Sequence, residues 1–112
     1  MDCIFCKIAA GEIPSTKVYE DDTVVAFNDL DPQAPVHVLI IPKEHIASAT
    51  EINESNSAVV AHIFEVVAKI AAEKGLKDGF RIVNNCGDSA GQSVKHLHFH
   101  LMGGRDFGWP AG

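Results

Sequence analysis

The 112 residues predict a single α+β domain, an antiparallel sheet of about five strands packed with one long helix. Three observations carry this. Short β-branched runs follow one another at hairpin spacing, and a single segment shows sustained helical periodicity. The run His96-Leu97-His98-Phe99-His100-Leu101 alternates imidazoles with large apolar side chains, which is the period of a strand.

Lys17 to Glu20 and Thr23 to Asn28 are strand candidates joined by the polar turn Asp21-Asp22. Asp29 to Pro35 is a proline-rich connection. Val36 to Ile41 then forms a β-branched run, apolar on both faces and closed by Pro42, and so reads as a central strand. His37, Leu39 and Ile41 share one of its faces. From about Asn53 to Lys74, Val59, Val60, Ile63, Phe64, Val67, Ile70 and Ala71 follow the spacing of an amphipathic helix. Asn53 and Ser55 are candidate N-caps, and Gly75 is placed to stop the helix in the left-handed conformation. A strand at Phe80 to Asn84, a polar loop through Ser93 and the histidine strand complete the chain.

Hydrophobic residues make up 46% and charged residues 21% of the chain. No apolar stretch approaches the roughly 18 to 20 residues of a membrane span, so a soluble protein is expected. The start, Met1 to Lys7, has neither the basic opening nor the apolar core of a secretory signal, and the expected location is cytoplasmic. A net charge of −6 without any Lys/Arg run argues against nucleic acid as a partner. A small phosphate ligand answers to local groups and stays open. Three cysteines make a poor disulfide framework.

Three of the six histidines sit on one face of the predicted histidine strand, with Leu97, Phe99 and Leu101 on the other. Neighbouring imidazoles are about 7 Å apart at the backbone and the outer two about 13 Å, too spread for one metal ion to gather all three easily. The row suits a central nucleophile or base, His98, flanked by two assisting imidazoles, with His37 able to join them. A catalytic metal on a His-x-His pair with His37 as third ligand is the alternative. The preceding loop, Gly87 to Ser93, is neither a Walker A loop nor a nucleophile elbow. Its N–H groups and the Ser93 hydroxyl can still converge on an anion. Cys3 and Cys6 form half of a tetrahedral zinc site, for which His45 and His96 are the candidate partners. A redox dithiol or two unligated buried thiols are the other readings of that pair. His62 and Cys86 read as structural or surface residues.

The segment His96 to Leu101 resembles the motif of the histidine triad (HIT) superfamily. The tail Gly103-Gly104-Arg105-Asp106-Phe107-Gly108-Trp109-Pro110-Ala111-Gly112 is similar to its Hint branch, the purine nucleoside phosphoramidases. Further similarity runs through Phe5-Cys6-Lys7-Ile8, Gly11-Glu12-Ile13-Pro14, Pro32 to His37 and Gly91-Gln92-Ser93-Val94. The resemblance implies a HIT-like fold with a short N-terminal helix and a hydrolase that cleaves P–N bonds of purine nucleoside phosphoramidates or aminoacyl-adenylates. His98 would form a nucleotidyl-histidine intermediate, assisted by His100, His37 and Ser93. Asn84, Gly91, Gln92, Ser93 and Val94 would surround the phosphate, and Asp29 beside Asn28 would take the ribose. Ile4, Phe5, Ile8, Ile13, Phe27, Leu30 and Leu39 would hold the base. Zinc on Cys3, Cys6, His45 and His96 would be structural, and a homodimer would carry Trp109 to the partner's site. Asn28, where Hint proteins often have histidine, and Lys95, where an aromatic residue or histidine is common, depart from the branch. Dinucleoside polyphosphate hydrolysis or nucleotidyl transfer is the related alternative, and a nucleotide- or zinc-binding module without turnover is the alternative of another class.

Overall fold

The computed structural model describes residues 3–112. A short helix α1 (Ile4–Ala9) precedes the hairpin β1 (Lys17–Glu20) and β2 (Val24–Asn28), then β3 (Val36–Pro42), the long helix α2 (Ser57–Glu73), β4 (Phe80–Val83) and β5 (Phe99–Gly103). The five strands form one antiparallel sheet, as the sequence predicts, and the structure orders them β1-β2-β3-β5-β4. Among the described residues no helix is long and apolar enough to cross a membrane.

Both faces of the sheet are covered, which explains why β2 and β3 are apolar at consecutive rather than alternate positions. On one face Val24, Ala26, Val38, Ile40, Leu97, Phe99 and Leu101 pack against Ile63, Val66, Val67 and Ile70 of α2. On the other, Val25, Phe27, Leu39 and Ile41 meet Cys3, Phe5 and Ile8 of the α1 segment. The functional groups share this second, thinner side.

Helix α2 ends as predicted. Gly75 has φ +71°, its N–H reaches Ala72 O and the Leu76 N–H reaches Ala71 O, the paired bonds of a Schellman stop. Its start differs from the sequence reading, because Asn53 and Ser55 do not cap it. Asn53 Oδ1 instead accepts the Ser55 N–H at 2.8 Å and the Ser55 hydroxyl at 2.6 Å, closing a separate turn, and the helix begins four residues after Asn53 at Ser57.

The histidine strand also begins later than its alternation suggests, at Phe99 rather than His96. Backbone groups that a ladder would use are taken by other partners. Leu97 N–H donates to Ile46 O at 2.6 Å, His96 O accepts the ring of His98, and His98 O accepts Asn84 Nδ2 at 2.9 Å. Side-chain alternation survives without the ladder, and Leu97, Phe99 and Leu101 all enter the α2 core.

His62 joins α2 to the β1–β2 turn. Its Nε2–H donates to Asp21 Oδ2 at 2.6 Å and its Nδ1–H to Glu65 Oε1 at 2.9 Å, while Tyr19 Oη donates to Asp21 Oδ2 at 2.7 Å. The bond to Asp21 and then that to Glu65 raise the imidazole above its ordinary value. Burial opposes ionisation of Asp21, yet hydrogen bonds from His62, Thr23, Tyr19 and Val24 hold its carboxyl well below the usual range. A raised histidine stabilises fully below its unfolded value of about 6.5 and ceases to do so as pH rises through its folded value. Between pH 6 and pH 9 the melting temperature of the wild type is therefore expected to fall on the order of 2–4 °C further than that of His62→Gln, a modest amount because the ring is partly solvated. Parallel pH profiles by calorimetry would refute the clamp.

Candidate functional site

Pairing of β3 with β5 sets Leu39 opposite His100 and His37 opposite Met102, so His37 and His100 are diagonal neighbours on one face. The Gln33 N–H donates to His37 Nδ1 at 3.0 Å, which places the lone pair on that nitrogen and the proton on Nε2. Nε2–H in turn donates to His100 Nδ1 at 2.9 Å. The remaining proton of His100 lies on its own Nε2. Asp29 Oδ2 is 3.5 Å from His37 Nε2. Burial lowers His37, with Asp29 and Asp31 pulling the other way. Burial, then the neighbouring His98 and His37, push His100 down to about 4, so this pair is uncharged at neutral pH.

His98 is fixed differently. Its Nδ1 lies 2.7 Å from the His96 carbonyl, which can only accept, so Nδ1 carries hydrogen and Nε2 is the basic nitrogen. The ring is 4% exposed and is held edge-on by Phe5 with centroids 5.1 Å apart. An oriented imidazole with its free nitrogen set by a backbone acceptor is the arrangement a nitrogen nucleophile needs.

The third histidine of the row belongs to another centre. His96 Nε2–H donates to Pro42 O at 2.8 Å, leaving Nδ1 to face Cys3 Sγ at 3.3 Å and Cys6 Sγ at 3.5 Å. His45 Nδ1 lies 3.2 Å from Cys6 Sγ. These four donor atoms lie within 4.8 Å of one another, and a Cys2His2 set of this kind fits tetrahedral zinc with no open position. Burial, reinforced by the Cys3 thiol, pushes Cys6 up to about 11, so a thiolate at Cys6 requires a cation beside it. A second cluster, Asp29, His37 and His100, is as compact. The Gln33 N–H keeps the proton on His37 Nε2, the nitrogen a metal would need, and that cluster works as a hydrogen-bond relay.

His98 and His100 open on a cavity of about 290 Å³. Its apolar wall is Ile4, Phe5, Ile8, Ile13, Phe27, Leu39 and Val94, with the fully exposed Leu30 at the rim. Asn28, Asp29 and Ser93 are its predicted polar members. The Ser93 hydroxyl and the N–H groups of Ser93 and Val94 make no hydrogen bond among the described residues, leaving them available to an anion. A larger cleft of about 710 Å³ lies between residues 75–81 and 104–107, with no histidine, cysteine or serine in its wall.

Four residues expected at the nucleotide do not line this cavity. Gln92 is buried and braces the loop, with Oε1 accepting the Gly87 N–H and Nε2 donating to Ala47 O and Val94 O. Asn84 holds His98 O, and the Gly91 N–H is used by Asp88 O while its φ of +83° makes the turn. Trp109 is 87% exposed on a tail that Arg81 holds through Gly108 O at 2.8 Å. Conversely, Pro14, Ser15 and Thr16 line the cavity without having been singled out. Their position directly after Ile13 was the available signal.

A family profile described as scavenger mRNA decapping enzyme C-term binding matches residues 2–107. An uncharacterized HIT-like protein of Synechococcus elongatus is 50% identical over 111 residues, covering 99% of this chain and 97% of that protein. The 14 kDa zinc-binding protein of Zea mays is 47% identical, covering 97% of this chain and 87% of its own. The crystal structure of a HIT family hydrolase from Legionella pneumophila superposes with a TM-score of 0.97 at 49% identity, covering 99% of this chain and 100% of that one.

The purified protein is expected to carry about one zinc ion per chain by elemental analysis. Chelation, or Cys6→Ser, should remove it and lower the melting temperature by at least about 5 °C. A chain that binds no zinc and is indifferent to chelator would exclude the metal centre.

Proposed function

Because the chain belongs to the histidine triad family, we propose that it is a hydrolase of purine nucleoside phosphoramidates, acting through a covalent nucleotidyl-histidine on His98. The observation that carries the reading is the bond from His98 Nδ1–H to the His96 carbonyl, which leaves Nε2 unprotonated at the wall of the cavity. In the first step Nε2 forms a bond to the α-phosphorus and the P–N bond breaks, the leaving nitrogen taking a proton from solvent so that the free amine departs. In the second, water attacks phosphorus and gives up a proton to solvent, the bond from phosphorus to Nε2 breaks, AMP departs and Nε2 recovers its lone pair.

His100 offers Nε2–H to the phosphoryl oxygens, because its other nitrogen is occupied by His37. His37 is a positioning residue that fixes this tautomer. Ser93 and the free N–H groups beside it bind the phosphate, and Asp29 accepts from the ribose hydroxyls. The aliphatic and phenyl wall encloses the base. Zinc on Cys3, Cys6, His45 and His96 braces the N-terminal segment against the histidine strand and takes no part in the chemistry. The phosphoramidase assignment within the family rests on the likeness of the tail, whose exposed Trp109 suits the cavity of a second copy in a homodimer. A cytoplasmic setting agrees with reduced thiols.

His98→Ala is expected to lose turnover of adenosine 5′-phosphoramidate by on the order of 10³-fold or more. Rapid quench with radiolabelled substrate should trap an AMP adduct on the wild type and none on the variant. An adduct persisting in His98→Ala would end the proposal. His37→Ala should reduce kcat by roughly 10- to 100-fold while changing KM little, since it acts through the orientation of His100. A loss confined to KM would place His37 in ground-state binding instead.

A further inference from the structure

The wall of the histidine cavity contains a polar group that no step above uses. Ser15 lies in the segment between α1 and β1, directly after Ile13 and Pro14, and lines the cavity together with Ile8, Phe27 and Leu39. Its Oγ is buried and has no hydrogen-bond partner, the one side-chain nitrogen or oxygen in that condition among the described residues. The buried polar residues of the described chain are all engaged: His37, His96, His98 and Gln92 each make hydrogen bonds. A hydroxyl withdrawn from water without compensation is unfavourable, and such orphans in folded proteins call for a ligand or water.

The fold holds Ser15 beside the strand end that leads into Asp29, the residue proposed for the ribose. Asn28 N–H donates to Thr16 O at 3.0 Å, which fixes the Ser15-Thr16 segment alongside the strand end carrying Asn28 and Asp29. With Asp29 on the ribose and the phosphate on Ser93, the groups around Ser15 are those left for the base. Hydrocarbon walls sense the size of a heterocycle but scarcely distinguish ring atoms of similar shape. A serine hydroxyl both donates and accepts, and rotation about χ1 swings it among three staggered positions.

Building on the nucleotide-hydrolase reading, we propose that Ser15 is a specificity-determining residue, whose hydroxyl makes the hydrogen bond that reads the edge of the purine. Turning about χ1 from its buried position toward the cavity, the hydroxyl would find in a bound base the partner that the protein does not supply. One such bond is worth about three- to tenfold in affinity.

The test is calorimetric titration of the full-length wild type, Ser15→Ala and Ser15→Cys with AMP, its 1-deaza, 3-deaza and 7-deaza analogues, and purine riboside 5′-monophosphate. The wild type should bind one analogue about three- to tenfold more weakly than AMP, and Ser15→Ala should bind that analogue and AMP alike. Ser15→Cys, similar in size and a weaker hydrogen-bonding group, should fall between. Without ligand, Ser15→Ala should melt at the same or a higher temperature than the wild type, whereas a residue serving only the fold would lower it. Selectivity unchanged in Ser15→Ala, or a lower melting temperature with unchanged selectivity, overturns the role of Ser15 and leaves the nucleotide reading standing. Failure of AMP to bind the wild type overturns both.

Discussion

Backbone carbonyls and amides decide which nitrogen of His37, His96, His98 and His100 bears hydrogen. Pro42 O holds Nε2–H of His96, His96 O holds Nδ1–H of His98, and the Gln33 N–H selects the tautomer of His37 and through it that of His100. Each ring thereby presents one defined nitrogen: to the thiols, to the cavity, or to its neighbour. Four chemically identical side chains acquire separate duties from these acceptors and donors. Burial reinforces the pattern by disfavouring the doubly protonated form of His37, His96 and His100.

The sheet makes those constraints possible. Its α2 face takes most of the apolar bulk, so the opposite face can be closed by only one short helix and a few loops. The chemistry sits where β3, β5 and the α1 segment converge on that lightly covered side. There the regular ladder gives way just before Phe99, freeing main-chain groups to bind rings instead of strands. The carbonyls of His96 and His98 that a ladder would use are paired instead with imidazole and amide side chains.

Much of this was legible in the residues. Alternation of His96, His98 and His100 with Leu97, Phe99 and Leu101 fixed the two faces correctly, because side-chain direction persists in extended backbone even without pairing. The Cys-x-x-Cys spacing pointed to His45 and His96, and β-branching on both faces of Val36 to Ile41 marked a central strand. The roles of Gln92 and Asn84 were not legible, since a loop amide turns inward or outward according to which carbonyls the fold brings near. Asn53 and Ser55 have the composition of caps, but they satisfy one another in a turn of their own. Ser15 carries no periodic signal, being one small polar residue in a proline-containing connection, and only tertiary burial sets it apart.

The double service of His96 has a consequence for how such a motif tolerates change. Its ring is side chain and is lost on substitution, whereas its carbonyl is common to every amino acid. Protonation of the reactive imidazole is thus entrusted to an atom no codon can alter, provided the local path of the chain is kept. Drift at the first position of the row would erode the anchorage of the N-terminal segment first and the reactivity of the second position only afterwards.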